Sequence, residues 1–138
     1  MADAQALVAE LFHGIIAFIA DDSDFVLDGA AARLREAFPQ QQVSRNLREI
    51  TVAAEGWRLW LHYVDAPHVA AESQEMAEWL AEHPAAGRIA GCKRRVEFSG
   101  TDIEPGSDCF GALCTACEVL KSFRGVVVFD LEGRDLFC

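Results

Sequence analysis

The sequence predicts an α+β fold built on an antiparallel sheet, and three observations carry that expectation. The hydrophobic period switches along the chain between strict alternation and the wider repeat of a helix. Glu55-Gly56 sits between two alternating runs, where glycine can take the positive φ of a tight hairpin turn. Finally, 138 residues suit one domain, and 51% hydrophobic content is that of a folded chain rather than a disordered one.

The elements follow in order. "MADAQALVAELFH" reads as a short amphipathic helix or lead-in, with Leu7, Leu11 and Phe12 apolar. "GIIAFIAD", from Gly14 to Asp21, is β-branched and aromatic with almost no charge, as a buried strand requires. "DDSD" breaks it. "FVLDGAAARLREAFPQ" places Leu27, Ala31, Leu34 and Phe38 at helical spacing, and Pro39 ends that helix. In "LREITVAAEGWRLWLHYV" the period becomes two: Ile50, Val52 and Ala54, then Trp57, Leu59, Leu61 and Tyr63. This is a β-hairpin. "DAPHVAAESQEMAEWLAEHP" is a second helix, with Asp65 as its expected N-cap, Pro67 in its first turn and Val69, Met76 and Leu80 inward. "GCKRRVEFSG" is a strand with Cys92, Val96 and Phe98 on one side. A cysteine-bearing helix follows, then a strand, a turn through Glu132-Gly133 and a short return strand.

From Gly14 to Gly100 the order is strand, helix, strand, strand, helix, strand. That is the order of a ferredoxin-like βαββαβ sheet. The expected organisation is a single domain over 1–138: a 14–100 βαββαβ unit and a 101–138 extension of helix plus hairpin. That extension either covers the open sheet face or lengthens the sheet.

Charge and chemistry narrow the function. Twenty-two acidic residues against 12 basic ones give a net charge of −10, which repels nucleic acid and attracts basic partners. The apolar run "ALVAELFHGIIAFIA" is broken by Glu10, His13 and Gly14, so no membrane span is expected. No basic region precedes it, so no secretory signal is expected, and the expected location is cytoplasmic. "DCFGALCTACEVLKSF" holds Cys109, Cys114 and Cys117. On a helical wheel all three share the arc of Phe110, Leu113, Leu120 and Phe123, the place of buried structural cysteines. Redox activity asks for a thiol at the helix N-terminus, and zinc asks for two spaced pairs. Neither pattern is present, so no metal and no cofactor are expected. "DDSD" is a weak hard-cation candidate beside its role as a breaker. "KRR" at Lys93–Arg95 reads as protection for a strand edge.

The remaining candidates concern binding. Trp57 and Trp60 face opposite ways. Trp60, Arg58 and His62 therefore form a patch, unless the C-terminal helix covers Trp60. Tryptophan and arginine are the residue types that dominate interfaces. The second helix adds Glu72, Glu75, Glu78 and Glu82 on its outer side, where repulsion between like charges costs helix stability. His62 brings no visible partner or pocket for general-base work, and no nucleophile elbow, phosphate loop or dinucleotide fingerprint occurs.

The Gly14–Gly100 element order and the closing "SFRGVVVFDLEGRDLF" resemble those of small acidic bacterial proteins of ferredoxin-like build, among them immunity proteins that neutralise toxins. The resemblance implies a non-catalytic protein binding a basic protein toxin. The alternative is a small enzyme or ligand-binding domain using the open sheet face.

Overall fold

A computed structural model of the chain describes residues 9–137. Its elements are β1 (Glu10–Ile19), α1 (Leu27–Ala37), β2 (Gln42–Arg45), β3 (Glu49–Ala54), β4 (Trp57–Val64), α2 (His68–Trp79), α3 (Ala86–Ala90), β5 (Arg94–Gly100), α4 (Asp108–Lys121), β6 (Val126–Asp130) and β7 (Asp135–Leu136). The strands form one antiparallel sheet in the order β2-β3-β4-β5-β1-β6-β7. The fold is thus α+β, and no described helix is long and apolar enough to cross a membrane.

The hairpin forms as its alternation requires. Ala54 pairs with Trp57, Val52 with Leu59 and Ile50 with Leu61, and Gly56 takes φ +94° in the turn. Inward residues of β3, β4 and β5 (Ile50, Val52, Leu59, Leu61, Val96 and Phe98) join Leu34 of α1 and Leu113 of α4 in the larger core. α4 packs there because its apolar arc is broad, and Ser107 starts it by accepting the Phe110 N–H at 3.1 Å.

β1 and β6 differ from the hairpin strands because both of their faces are buried. Ile15, Ala17 and Ile19 join the larger core, while Ile16 and Phe18 face a second cluster with Val127 and Phe129 of β6. Ala77, Leu80, Ala85, Ala86 and Ile89 of the α2–α3 region cover that second cluster. Near-continuous apolar runs are what two-sided burial demands.

The strand order departs from the split βαβ arrangement that element order suggested. There the first strand would lie beside the hairpin, between it and the strand after the second helix. Here β5 zips directly onto β4, pairing Leu61 with Phe98, and β1 lies beyond it with β6 on its other side. The physical reason lies in β1 itself: Phe18 and Ile16 need cover on the face opposite α1, and α2–α3 supply it. The C-terminal hairpin lengthens the sheet, while α4 lies on the face already holding α1.

Smaller expectations also change. Of the expected lead-in, residues 10–13 belong to β1, Ala9 precedes the strand, and residues 1–8 lie outside the described residues. β2 and α3 were not anticipated, being short and weakly patterned. Asp65 does not cap α2; it forms an ion pair with Arg48, and α2 starts after Pro67 with no side-chain cap. Cys92 precedes β5 and packs in the second cluster, away from Val96 and Phe98. Lys93–Arg95 lie at an interior strand, where they serve as ion-pair and hydrogen-bond donors instead of blunting an edge.

Two glycines give opposite tests. A Cβ at Gly56 would meet nothing within 4 Å, so Gly56→Val should cost only the left-handed strain, about 1–2 kcal/mol. A Cβ at Gly100 would sit 2.6 Å from Cys109 Sγ and 2.7 Å from a Phe12 ring carbon. Gly100→Ala should therefore cost about 1–3 kcal/mol through overpacking. Denaturant unfolding of both variants measures the two effects; an unchanged midpoint in either removes the corresponding account.

Candidate functional site

The alternation of β4 decides what its outer residues can do. With Leu59 and Leu61 in the core, Arg58, Trp60 and His62 point the other way. α4 sits on the Trp57 side, so it does not cover Trp60. α2 and α3 occupy the same face as Trp60, but they pack over β1, β6 and the Arg95 end of β5. Arg58, Trp60 and His62 are left half-buried, beside Thr51 and Ala53 of β3.

His62 has partners on both flanking strands. Glu49 stands opposite it on β3, and Ser99 on β5 pairs with Trp60, diagonal to His62. His62 Nδ1 lies 2.9 Å from Glu49 Oε2, and Nε2 lies 2.7 Å from Ser99 Oγ. An ionised carboxylate only accepts, so Nδ1–H donates to Glu49 and the neutral ring's Nε2 accepts the Ser99 hydroxyl. Serine, histidine and acid in that polarity are the parts of a nucleophilic relay. Its placement argues for holding rather than attacking. Ser99 is 4% exposed, and its backbone is mid-ladder between Leu11 and Trp60 instead of on a sharp turn. The relay ties β3, β4 and β5 together across the open face and fixes the ring of His62.

A second polar group marks where that face meets α2. Arg95 is 6% exposed; its Nε donates to Glu97 Oε2 at 2.8 Å and its Nη2 to Glu72 Oε1 at 2.7 Å. A buried guanidinium must be paired, because desolvation would otherwise cost several kcal/mol. Glu72 is therefore an anchor between helix and sheet, not a free member of the acidic face. Glu75, Glu78 and Glu82 stay exposed. Sequence reading missed this because Arg95 lies 23 residues from Glu72, and nothing in spacing links them. Arg95 Nη1 is buried without a protein partner among the described residues.

The other sequence candidates find structural places. Cys109 and Cys117 are buried, whereas Cys114 is only half-buried because it sits at the edge of the apolar arc. In "DDSD", Asp24 accepts the Arg124 N–H at 2.8 Å, Ser23 Oγ accepts the Phe25 N–H at 3.0 Å and Asp21 pairs with Lys93 at 3.5 Å. The stretch thus ties down the β1–α1 connection. Burial, with the Asp21 charge adding to it, pushes the Cys92 thiol from 9.0 up to about 11.

No family model matches the chain, and comparisons with curated proteins and with solved structures found no match.

Two outcomes follow from this geometry. His62→Ala leaves the buried Ser99 hydroxyl without its acceptor and should cost about 1–3 kcal/mol of stability, read by denaturant unfolding. An unaltered midpoint would show that the relay bears nothing. For Cys92 the sign follows from its raised folded value. The unfolded chain ionises this thiol first, so its contribution is intact below pH 9.0 and lost as pH rises toward about 11. Stability of wild type should therefore fall more steeply across that window than stability of Cys92→Ala.

Proposed function

We propose that the protein is a non-catalytic acidic binding protein of the immunity type, cytoplasmic, that neutralises a basic protein toxin. The observation that carries this is the uncovered half-face. Trp60, Arg58 and His62 stand on it, His62 is locked by Glu49 and Ser99, and the Arg95–Glu72 bridge joins it to α2. Tryptophan and arginine supply most interface energy, and His62, held beside them, loses little side-chain freedom on binding. Glu75 and Glu78 lie exposed on α2, and the net charge of −10 would steer a basic partner by long-range attraction.

A second reading, a small enzyme using the same face, is favoured by the relay alone. A fluorophosphonate probe separates the two. A covalent adduct on Ser99 that disappears in His62→Ala supports the enzyme, and an unmodified Ser99 supports the binding protein.

The direct test is to capture the partner from native lysate and measure association across salt. Glu75→Gln with Glu78→Gln should slow association at low salt and flatten its salt dependence. Trp60→Ala should weaken the complex by about 2 kcal/mol, roughly 30-fold, mainly through faster dissociation. A partner whose binding ignores both changes would sink the proposed surface.

A further inference from the structure

Trp79 played no part in the sequence reading, which placed binding on Trp60. It is the last residue of α2 and is 50% exposed. Helical spacing sets it one turn beyond Glu75, with Glu78 directly before it. Its indole is not bare, because the Arg134 guanidinium carbon stands 4.0 Å from the ring centroid. Arg134 belongs to the turn between β6 and β7 and takes φ +54°, in the left-handed region that side-chain-bearing residues seldom adopt. β7 pairs with β6 at Phe129–Leu136 and Asp130–Asp135, and the Phe137 N–H donates to Val128 O at 3.0 Å. Around Trp79 and Arg134 lies a cleft of about 390 Å³, walled also by Leu80, Glu82, His83 and Pro84.

The neighbouring charges set what the cleft accepts. His83 Nδ1 accepts the Ala85 N–H at 3.0 Å, so the proton of the neutral ring is on Nε2, 3.1 Å from Asp135 Oδ1. That hydrogen bond lowers the pKa of Asp135, so its carboxylate stays ionised. Glu75, Glu78 and Glu82 are exposed and make no ion pair among the described residues. The Arg134 guanidinium thus shares the cleft with Glu82, and Asp135 is bonded to its wall residue His83.

We propose that Trp79 is the seat for an arginine or lysine side chain of a basic partner protein, and that Arg134 is its internal stand-in. The inference rests on the reading of the protein as a binder of a basic partner. An indole face is the strongest aromatic site for a cation, and the surrounding carboxylates complement it. Arg134 keeps that site filled in the free protein. Arg134 is exposed, so its side chain can rotate off the ring while Asp135 and Phe137 keep the hairpin tethered, and Glu82 in the cleft wall complements the arriving cation.

The test uses the whole 15N-labelled protein, a hexapeptide of alternating glycine and arginine, and the same peptide with citrulline for arginine. The arginine peptide should shift the Trp79 indole N–H signal saturably, and the citrulline peptide should not. Trp79→Leu should weaken arginine-peptide binding about tenfold. Arg134→Gln should tighten it by about threefold beyond Arg35→Gln, which removes an equal charge from α1 on the opposite sheet face. An Arg134→Gln effect no larger than that of Arg35→Gln, or peptide binding indifferent to Trp79→Leu, overturns the proposal. A captured partner that responds to Trp60→Ala but ignores Trp79→Leu also overturns it, while leaving the proposed binding function standing.

Discussion

Burial of β1 from both sides is the constraint on which the rest of the structure depends. Ala17, Phe18 and Ile19 are each 0% exposed. A strand with apolar side chains on alternate faces cannot stand at an edge or under one layer. It needs a strand on each side and helices above and below. β5 and β6 supply the strands, α1 and α4 fill one face, and α2–α3 fill the other. Full burial of a phenylalanine such as Phe18 is worth about 1.5–3 kcal/mol, so leaving the second face bare would forfeit a sizeable part of a small domain's stability.

That demand also creates the candidate site. The α2–α3 layer covers β1, β6 and the Arg95 end of β5, so β3, β4 and the rest of β5 keep one open face. The outward residues there are consequently polar or amphipathic. Glu49, His62 and Ser99 satisfy one another, and Glu72 and Glu97 pair two of the three guanidinium nitrogens of Arg95. Such networks rigidify a surface when every member has a partner. The open face is therefore firm around His62, and it ends at the helix that carries the exposed Glu75 and Glu78.

Chemical potential and chemical use part company in the relay. The donor–acceptor order around His62 is that of a hydrolase, yet a nucleophile must be reachable. Ser99 is enclosed in a central strand, with Leu11 and Trp60 as its ladder partners. The distances alone would suggest catalysis; the burial and the backbone context favour the same three residues as a brace.

The sequence by itself determined most strands and helices, because period and turn chemistry are local; β2, α3 and the start of β1 escaped it. It also distinguished strands covered twice from strands covered once: "GIIAFIA" and "VVVF" run apolar without interruption, whereas "EITVAA" and "WRLWLHYV" alternate. The hairpin, its Gly56 turn and the divergence of Trp57 from Trp60 were all legible in this way. Strand order was not, since βαββαβ describes a succession of elements and not which edge each strand chooses. Only tertiary structure placed β5 between β4 and β1, set α4 on the Trp57 side and left Trp60 outside the helical cover. The partners of Glu72 and His62 were likewise hidden, because Arg95 and Ser99 reach them across the sheet from 23 and 37 residues away. Long-range pairing follows from where the layers settle, and that is decided by burying β1, not by any pattern local to the charged residues themselves.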